Sequence, residues 1–248
     1  MTTTARPFAG RLTIISACET HLLQVRCGCR GQAPGPRRRW QGDGRAAHLG
    51  TTAGVGREGW SGEEEGPQVT HLDLMHGKDY SGQRVGGWLC QEKLDGLRCL
   101  WTGAELISRN GVRFNAPAWF VAGLPAGIPL DGELYAGPGT LGRVSATLAR
   151  HKSGADADWQ GVRFMVFDAP AVEGSFQARV AAIPRLICKA FNADRVFTKA
   201  VKGVAELRHL LRSLHKAGGE GFMLREPSAP YVAGRTGKLL KFKSKSLN

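Results

Sequence analysis

The sequence predicts an α+β domain of antiparallel β-sheets with helices packed outside them. Three observations predict it. From residue 87 onward, short apolar runs alternate with Gly-containing turns. Three later segments repeat their apolar residues at helical spacing. Over the first 70 residues neither period is sustained, so residues 1–70 read as a disordered Gly/Arg-rich N-terminal extension and residues 71–248 as the folded domain.

Residues 88–92, 97–101 and 104–108 read as strands, separated by turns at Asp95-Gly96 and Thr102-Gly103. Residues 128–135 and 162–168 are further strands, and the second is nearly all apolar, which suits a central position. Residues 141–151, 175–190 and 204–217 have helical spacing. The last carries Leu207, Leu210, Leu211 and Leu214 on one stripe and stops at Gly218-Gly219. Residues 221–225 and 238–243 complete the strand set.

The extension is different in kind. Residues 27–67 are dominated by Gly, Arg, Ala and Pro, with charge runs at Arg37-Arg38-Arg39 and Glu63-Glu64-Glu65. A short strand or helix is expected there only around residues 12–15 or 20–25. No lysine precedes Lys78, and Phe8 is the only Phe or Tyr before Tyr80. Three origins compete: a basic nucleic-acid tether, a targeting segment with Glu19 as its one acid in residues 1–40, or a start assigned too early with Met75 as the true start. The composition break near Met75 favours the third.

A net charge of +13 on 248 residues favours polyanions: nucleic acid, nucleotides or an anionic membrane surface. No apolar run approaches the roughly 18 residues needed to span a bilayer. Cys27 and Cys29, with only Cys18 and His21 nearby, lack a convincing zinc spacing, whereas Cys90 and Cys99 lie in strand-like segments as buried free thiols. A reducing, intracellular compartment fits this usage.

The chemistry concentrates in Glu92-Lys93-Leu94-Asp95-Gly96-Leu97-Arg98. A lysine is a nucleophile only when neutral, and an unperturbed one titrates near ~10.4, so such a role needs something to depress it, which other cations near a shared phosphate could do. Four downstream clusters sit at strand ends or turns: Ser108-Arg109-Asn110-Gly111, Asp131-Gly132-Glu133-Leu134, Glu220 to Arg225, and Leu239 to Lys243, where Lys241 and Lys243 alternate onto one face. Singly, each reads as a solvated surface feature. Together they supply the parts of a nucleotidyl-transfer site: the nucleophile Lys93, cations Lys241 and Lys243 for phosphate oxygens, Glu220 for a divalent metal, Glu133 for the ribose, and Phe167 for the base. Magnesium suits that ligand set, and no P-loop pattern is present.

Residues 75–246 resemble the adenylyltransferase domain of ATP-dependent DNA ligases of the compact bacterial and phage type, a superfamily that also holds RNA ligases and mRNA capping enzymes. The matching blocks are residues 92–98, 108–111, 131–135, 164–168, 220–227 and 239–243, in family order. The resemblance implies an ATP-grasp-like fold, ATP with Mg2+ or Mn2+, and nicked double-stranded DNA as partner, in replication, repair or recombination. It implies that Lys93 takes AMP, with Asp95 and Arg98 also catalytic. Gln91, Glu92, Arg109, Glu133, Phe167, Lys241 and Lys243 would bind ATP. Glu220 and Glu133 would hold the metal, and Arg235 would grip the 5′-phosphate of the nick. The expected protein is a cytoplasmic monomer of a bacterial or phage-infected cell, off the membrane.

The family continues into an OB-fold domain, whereas this chain stops at Asn248, five residues past Lys243. The expectation is a catalytic domain without the OB fold, with impaired self-adenylation and a weak grip on DNA, or one served by a separate OB-fold or clamp partner. An RNA ligase or capping-type nucleotidyltransferase, and a non-catalytic nucleic-acid-binding remnant, are the competing readings.

Overall fold

The computed structural model describes residues 74–149 and 159–247. The N-terminal extension, with its four possible zinc ligands, lies outside the described residues. Ten strands follow one another as β1 (Met75–Asp79), β2 (Leu89–Glu92), β3 (Leu97–Trp101), β4 (Leu106–Ser108), β5 (Leu130–Tyr135), β6 (Arg163–Asp168), β7 (Ala193–Arg195), β8 (Thr198–Ala200), β9 (Gly221–Arg225) and β10 (Gly234–Lys243). The helices are α1 (Ala118–Val121), α2 (Leu141–Ala149), α3 (Phe176–Leu186) and α4 (Val204–Lys216). The strands form two five-stranded sheets, ordered β1-β10-β9-β2-β8 and β4-β3-β5-β6-β7.

The interior ladders are antiparallel, as expected, but each sheet ends in one parallel pair at an edge, β1 with β10 and β6 with β7. A parallel pair needs a long crossover. Helix α3 supplies it between β6 and β7, and nearly the whole described chain separates β1 from β10.

Each sheet buries one face under helices. Leu207, Leu210, Leu211 and Leu214 of α4 pack with Cys90, Phe222, Leu224, Leu240 and Phe242 of the first sheet. Each buried leucine is worth about 1.5–3 kcal/mol, which is why the stripe forms a helix here. Glu206 braces the start of α4 by accepting the Lys202 N–H at 2.7 Å, and Gly218 at φ 85° stops the helix as the Gly218-Gly219 signal predicts. In the second sheet Cys99, Trp101, Leu130, Leu134, Phe164 and Val166 face Phe120, Phe176, Val180 and Ile183. Cys90 and Cys99 are free and buried, and burial pushes both thiols up.

Several boundaries shift for local reasons. Residues 104 and 105 leave β4 because the Thr102 hydroxyl accepts both of their N–H groups. Helix α3 ends at Leu186, two residues after Pro184, and the next residues turn so that Ile187 and Ala190 enter the core. Strands β1, β7 and β8 carry no apolar alternation of their own, and the ladders of their neighbours make them strands.

Candidate active site

Lys93 follows the last residue of β2, where the chain leaves the first sheet for the second. Its N–H donates to the Gly221 carbonyl at 2.8 Å, tying this crossing to the start of β9. Glu220, one residue earlier, binds Lys93 Nζ through one carboxylate oxygen and Lys243 Nζ through the other. The close approach requires glycine at position 221, since a Cβ there would lie 2.4 Å from the Phe242 carbonyl oxygen. Burial opposes the charge on Glu220, but hydrogen bonds from Lys243 and Lys93 outweigh it and hold the carboxyl below its usual range.

The turn after Lys93 is equally tight. A Cβ on Gly96 would sit 2.4 Å from the Leu134 oxygen and 2.8 Å from Glu133 Cγ. The Gly96 N–H donates to Glu133 Oε1 at 3.2 Å. Burial pushes the Glu133 carboxyl up to about 7, against the pull of Lys93, the Gly96 N–H and Arg98. Glu133 therefore changes charge near neutrality, within the field of Lys93.

Arg98 is clamped. It donates to both oxygens of Asp131, at 3.1 and 2.7 Å, and to the Met75 carbonyl at 2.9 Å, and its guanidinium lies 5.6 Å from the Phe167 ring centre. Tyr231 hydroxyl also donates to Asp131, at 2.7 Å. Beside this clamp a cleft of about 520 Å³ is lined by Gly96, Arg98, Ser108, Arg109, Asn110 and Glu133. Burial lowers the His76 pKa, and the charges of Arg98, Arg109 and Lys241 lower it further. Arg98 Nη1 lies 3.4 Å from His76 Nδ1.

Deeper in, Gln91 is 3% exposed and donates from Nε2 to the Phe167 carbonyl at 3.2 Å and to Thr198 Oγ1 at 3.0 Å. Met223, its partner across the ladder, also faces Lys241 on β10, so the three form one row. Asp168, next to Phe167, is shared by the buried guanidiniums of Arg179 and Arg225, which joins β6 to α3 and to β9 of the other sheet.

The structure gathers Lys93, Gln91, Glu133, Phe167, Glu220, Lys241 and Lys243, with Arg98 and Arg109 on the cleft. It corrects Glu92. Alternation along β2 turns this side chain to the face of Cys90 and its ladder partner Phe222, away from Gln91, and burial pushes its carboxyl up to about 7. Asp95 makes no hydrogen bond or ion pair with a described residue, and its charge acts on Tyr135. Arg235 is exposed on β10 opposite His76, apart from the lysine pair. Among the described residues no group of three or more His, Cys, Asp or Glu could hold a metal, and no helix is long and apolar enough to cross a membrane.

Sequence reasoning missed Thr198, Tyr231, Arg179 and the use of Asp131 and Asp168 as anchors. A carboxylate closing an apolar strand, as Asp168 does, was the available signal for the last. Nothing local marked Thr198.

Residues 81–243 match the family described as "ATP dependent DNA ligase domain". The chain is 31% identical over 174 residues to a DNA ligase of Haemophilus influenzae, covering 69% of this chain and 63% of that relative. The chain thus spans less than two thirds of the relative's length. A solved Lig E DNA ligase, described as binding DNA with a minimal scaffold, is 34% identical with a TM-score of 0.65, over 69% of this chain and 68% of its own. The Chlorella virus DNA ligase-adenylate, 19% identical with a TM-score of 0.59 over 71% and 67%, shares the fold. With the family match running from residue 81 to residue 243 and so spanning both sheets, the chain belongs to the ATP-dependent DNA ligase domain family.

Proposed function

We propose that this chain is the nucleotidyltransferase part of an ATP-dependent DNA ligase and that Lys93 carries AMP. The observation that supports this most is the Lys93–Glu220–Lys243 array, with Glu133 and the Gln91–Phe167 pair beside it. Held by Glu220, the Lys93 ammonium has no lone pair to offer, so attack begins only when that pair opens and the proton passes to solvent. An incoming triphosphate competes with Glu220 for both lysines and so favours opening. Lys93 Nζ then bonds to the α-phosphorus as its bond to the pyrophosphate oxygen breaks. Lys243 and Lys241 offset the charge of the phosphate oxygens.

The bound AMP passes to the 5′-phosphate at a nick in double-stranded DNA, and the bond between Lys93 and phosphorus breaks. Attack by the 3′-hydroxyl joins the strand and expels AMP. Arg109 and Arg235, both exposed, would meet DNA phosphates. Glu220 and Glu133 would hold Mg2+ or Mn2+, since magnesium is commonly bound by one or two carboxylates together with substrate phosphates. Bound there, the ion would neutralise charge on the triphosphate. The reading includes a monomer acting in the cytoplasm, which the buried free thiols suit, and a separate OB-fold or clamp partner on DNA.

Incubation with ATP labelled at the α-phosphate and Mg2+, then a denaturing gel, tests it. Wild type is expected to retain label and Lys93→Ala to retain none. A folded wild-type protein that takes no label would overturn the reading.

A further inference from the structure

A glutamine amide facing a purine can present either an acceptor or a donor, and the two choices favour different bases. Here the surrounding groups settle the choice. The Phe167 carbonyl can only accept, so the Gln91 atom 3.2 Å from it is the NH2 group. Thr198 supplies a second, independent constraint. Its hydroxyl donates to the Val196 carbonyl at 3.0 Å, which uses its only proton. Towards Gln91, 3.0 Å away, Thr198 Oγ1 can therefore only accept. Both N–H groups of the amide are engaged, one by a carbonyl and one by a hydroxyl that a carbonyl has oriented. Gln91 Oε1 is left as the amide's open acceptor, with no hydrogen bond to a described residue.

We propose that Thr198 is a positioning residue that fixes the amide orientation of Gln91 and thereby makes the site prefer a 6-aminopurine to a 6-oxopurine. The inference rests on the nucleotide-binding reading above. An exocyclic amine donates to Oε1, whereas a 6-oxo group meets it acceptor to acceptor. A site built around a particular donor rejects an analogue lacking it far more strongly than one that differs only in apolar bulk. Thr198 performs this role from β8, 107 residues away in sequence, because β8 pairs with β2 in register, Thr198 opposite Gln91.

The test is equilibrium binding of the α,β-methylene analogues of ATP and ITP, which cannot release pyrophosphate, to the full chain. Wild type is expected to prefer the adenosine analogue by about 10⁴-fold. Thr198→Val, which keeps the shape and loses the hydroxyl, is expected to cut that preference by about tenfold, mostly through tighter inosine binding. Thr198→Ser restores it, and Thr198→Ala repeats the loss should the valine variant fold poorly. In a Gln91→Leu background, Thr198→Val should change the ratio no further. Equal weakening of both analogues by Thr198→Val, or an undiminished effect without Gln91, overturns the proposal. Failure of folded wild type to bind either analogue overturns the nucleotide-binding reading with it, whereas binding with an unmoved ratio overturns this inference alone.

Discussion

Replacing Asp168 by alanine removes the carboxylate that two buried arginines share. Asp168 is fully buried, and Arg179 and Arg225 are 1% and 3% exposed. Arg179 reaches it from Nε at 2.7 Å and Nη2 at 3.2 Å, and Arg225 bonds its second oxygen through Nη1. After the substitution Arg179 keeps the carbonyls of Gly174 and Ala229. Arg225 keeps no hydrogen bond among the described residues, only the Phe176 ring 4.2 Å away and the field of Asp131, and its Nε already lacks a partner. Breaking a buried pair from one side costs about 3–5 kcal/mol, and two cations lose their partner here, so about 5 kcal/mol is expected. Domain stabilities run to about 5–15 kcal/mol, so the variant should be close to unfolding at room temperature. Urea denaturation followed by the fluorescence of buried Trp101 and Trp159 measures the loss. Asp168→Asn, which keeps one acceptor, should lose less. Adding Arg225→Met to Asp168→Ala should recover part of the loss, because it removes the uncompensated charge. A loss below about 1 kcal/mol for Asp168→Ala would refute the premise that both guanidiniums depend on this carboxylate.

Two further outcomes follow from the same geometry. Glu92 has a folded pKa raised from 4.5 to about 7, so the folded state binds its proton more tightly than the unfolded state does. That favourable term is present below the unfolded value and is lost as pH rises through the folded one, so Glu92→Gln should be more stable than wild type at pH 8, by about 1–3 kcal/mol, and near neutral in effect at about pH 4.5. Glu133 adds a slope of the same sign in both proteins, so parallel pH profiles for the two would show that Glu92 is not buried as described. Gly96→Ala should cost about 1–3 kcal/mol and reduce labelling of Lys93, because its Cβ meets the backbone of Leu134 as well as the Glu133 side chain, and the backbone cannot yield. Unchanged melting and labelling would mean that the turn has room the structure denies.

Much of the site was legible because its chemistry uses residue types that stand out at strand ends. Lys93, Glu133, Glu220 and the alternating Lys241 and Lys243 are charged residues beside or within apolar runs, and Glu220 joins Lys93 to Lys243. Helix α4 was legible to within a residue because its leucine stripe is locally complete. Glu92 was misplaced for the opposite reason. Adjacency to Lys93 suggested a shared site, but strand alternation sends neighbours to opposite faces. Strands of three residues such as β7 and β8 exist only through pairing, and neither has enough local preference to announce itself.

What the chain settled unaided was the class of fold and the family, and it singled out Lys93 as the lysine proposed to react, since these depend on residue type, order and short-range period. The partnerships came only with the tertiary structure. Lys93 meets Glu220 across 127 residues, Tyr231 meets Asp131 across 100, and Gln91 is turned by Thr198 across 107. Each joins groups whose sequence spacing carries no periodic signal. Their geometry is fixed instead by ladder register and by the need of every buried polar group for a partner.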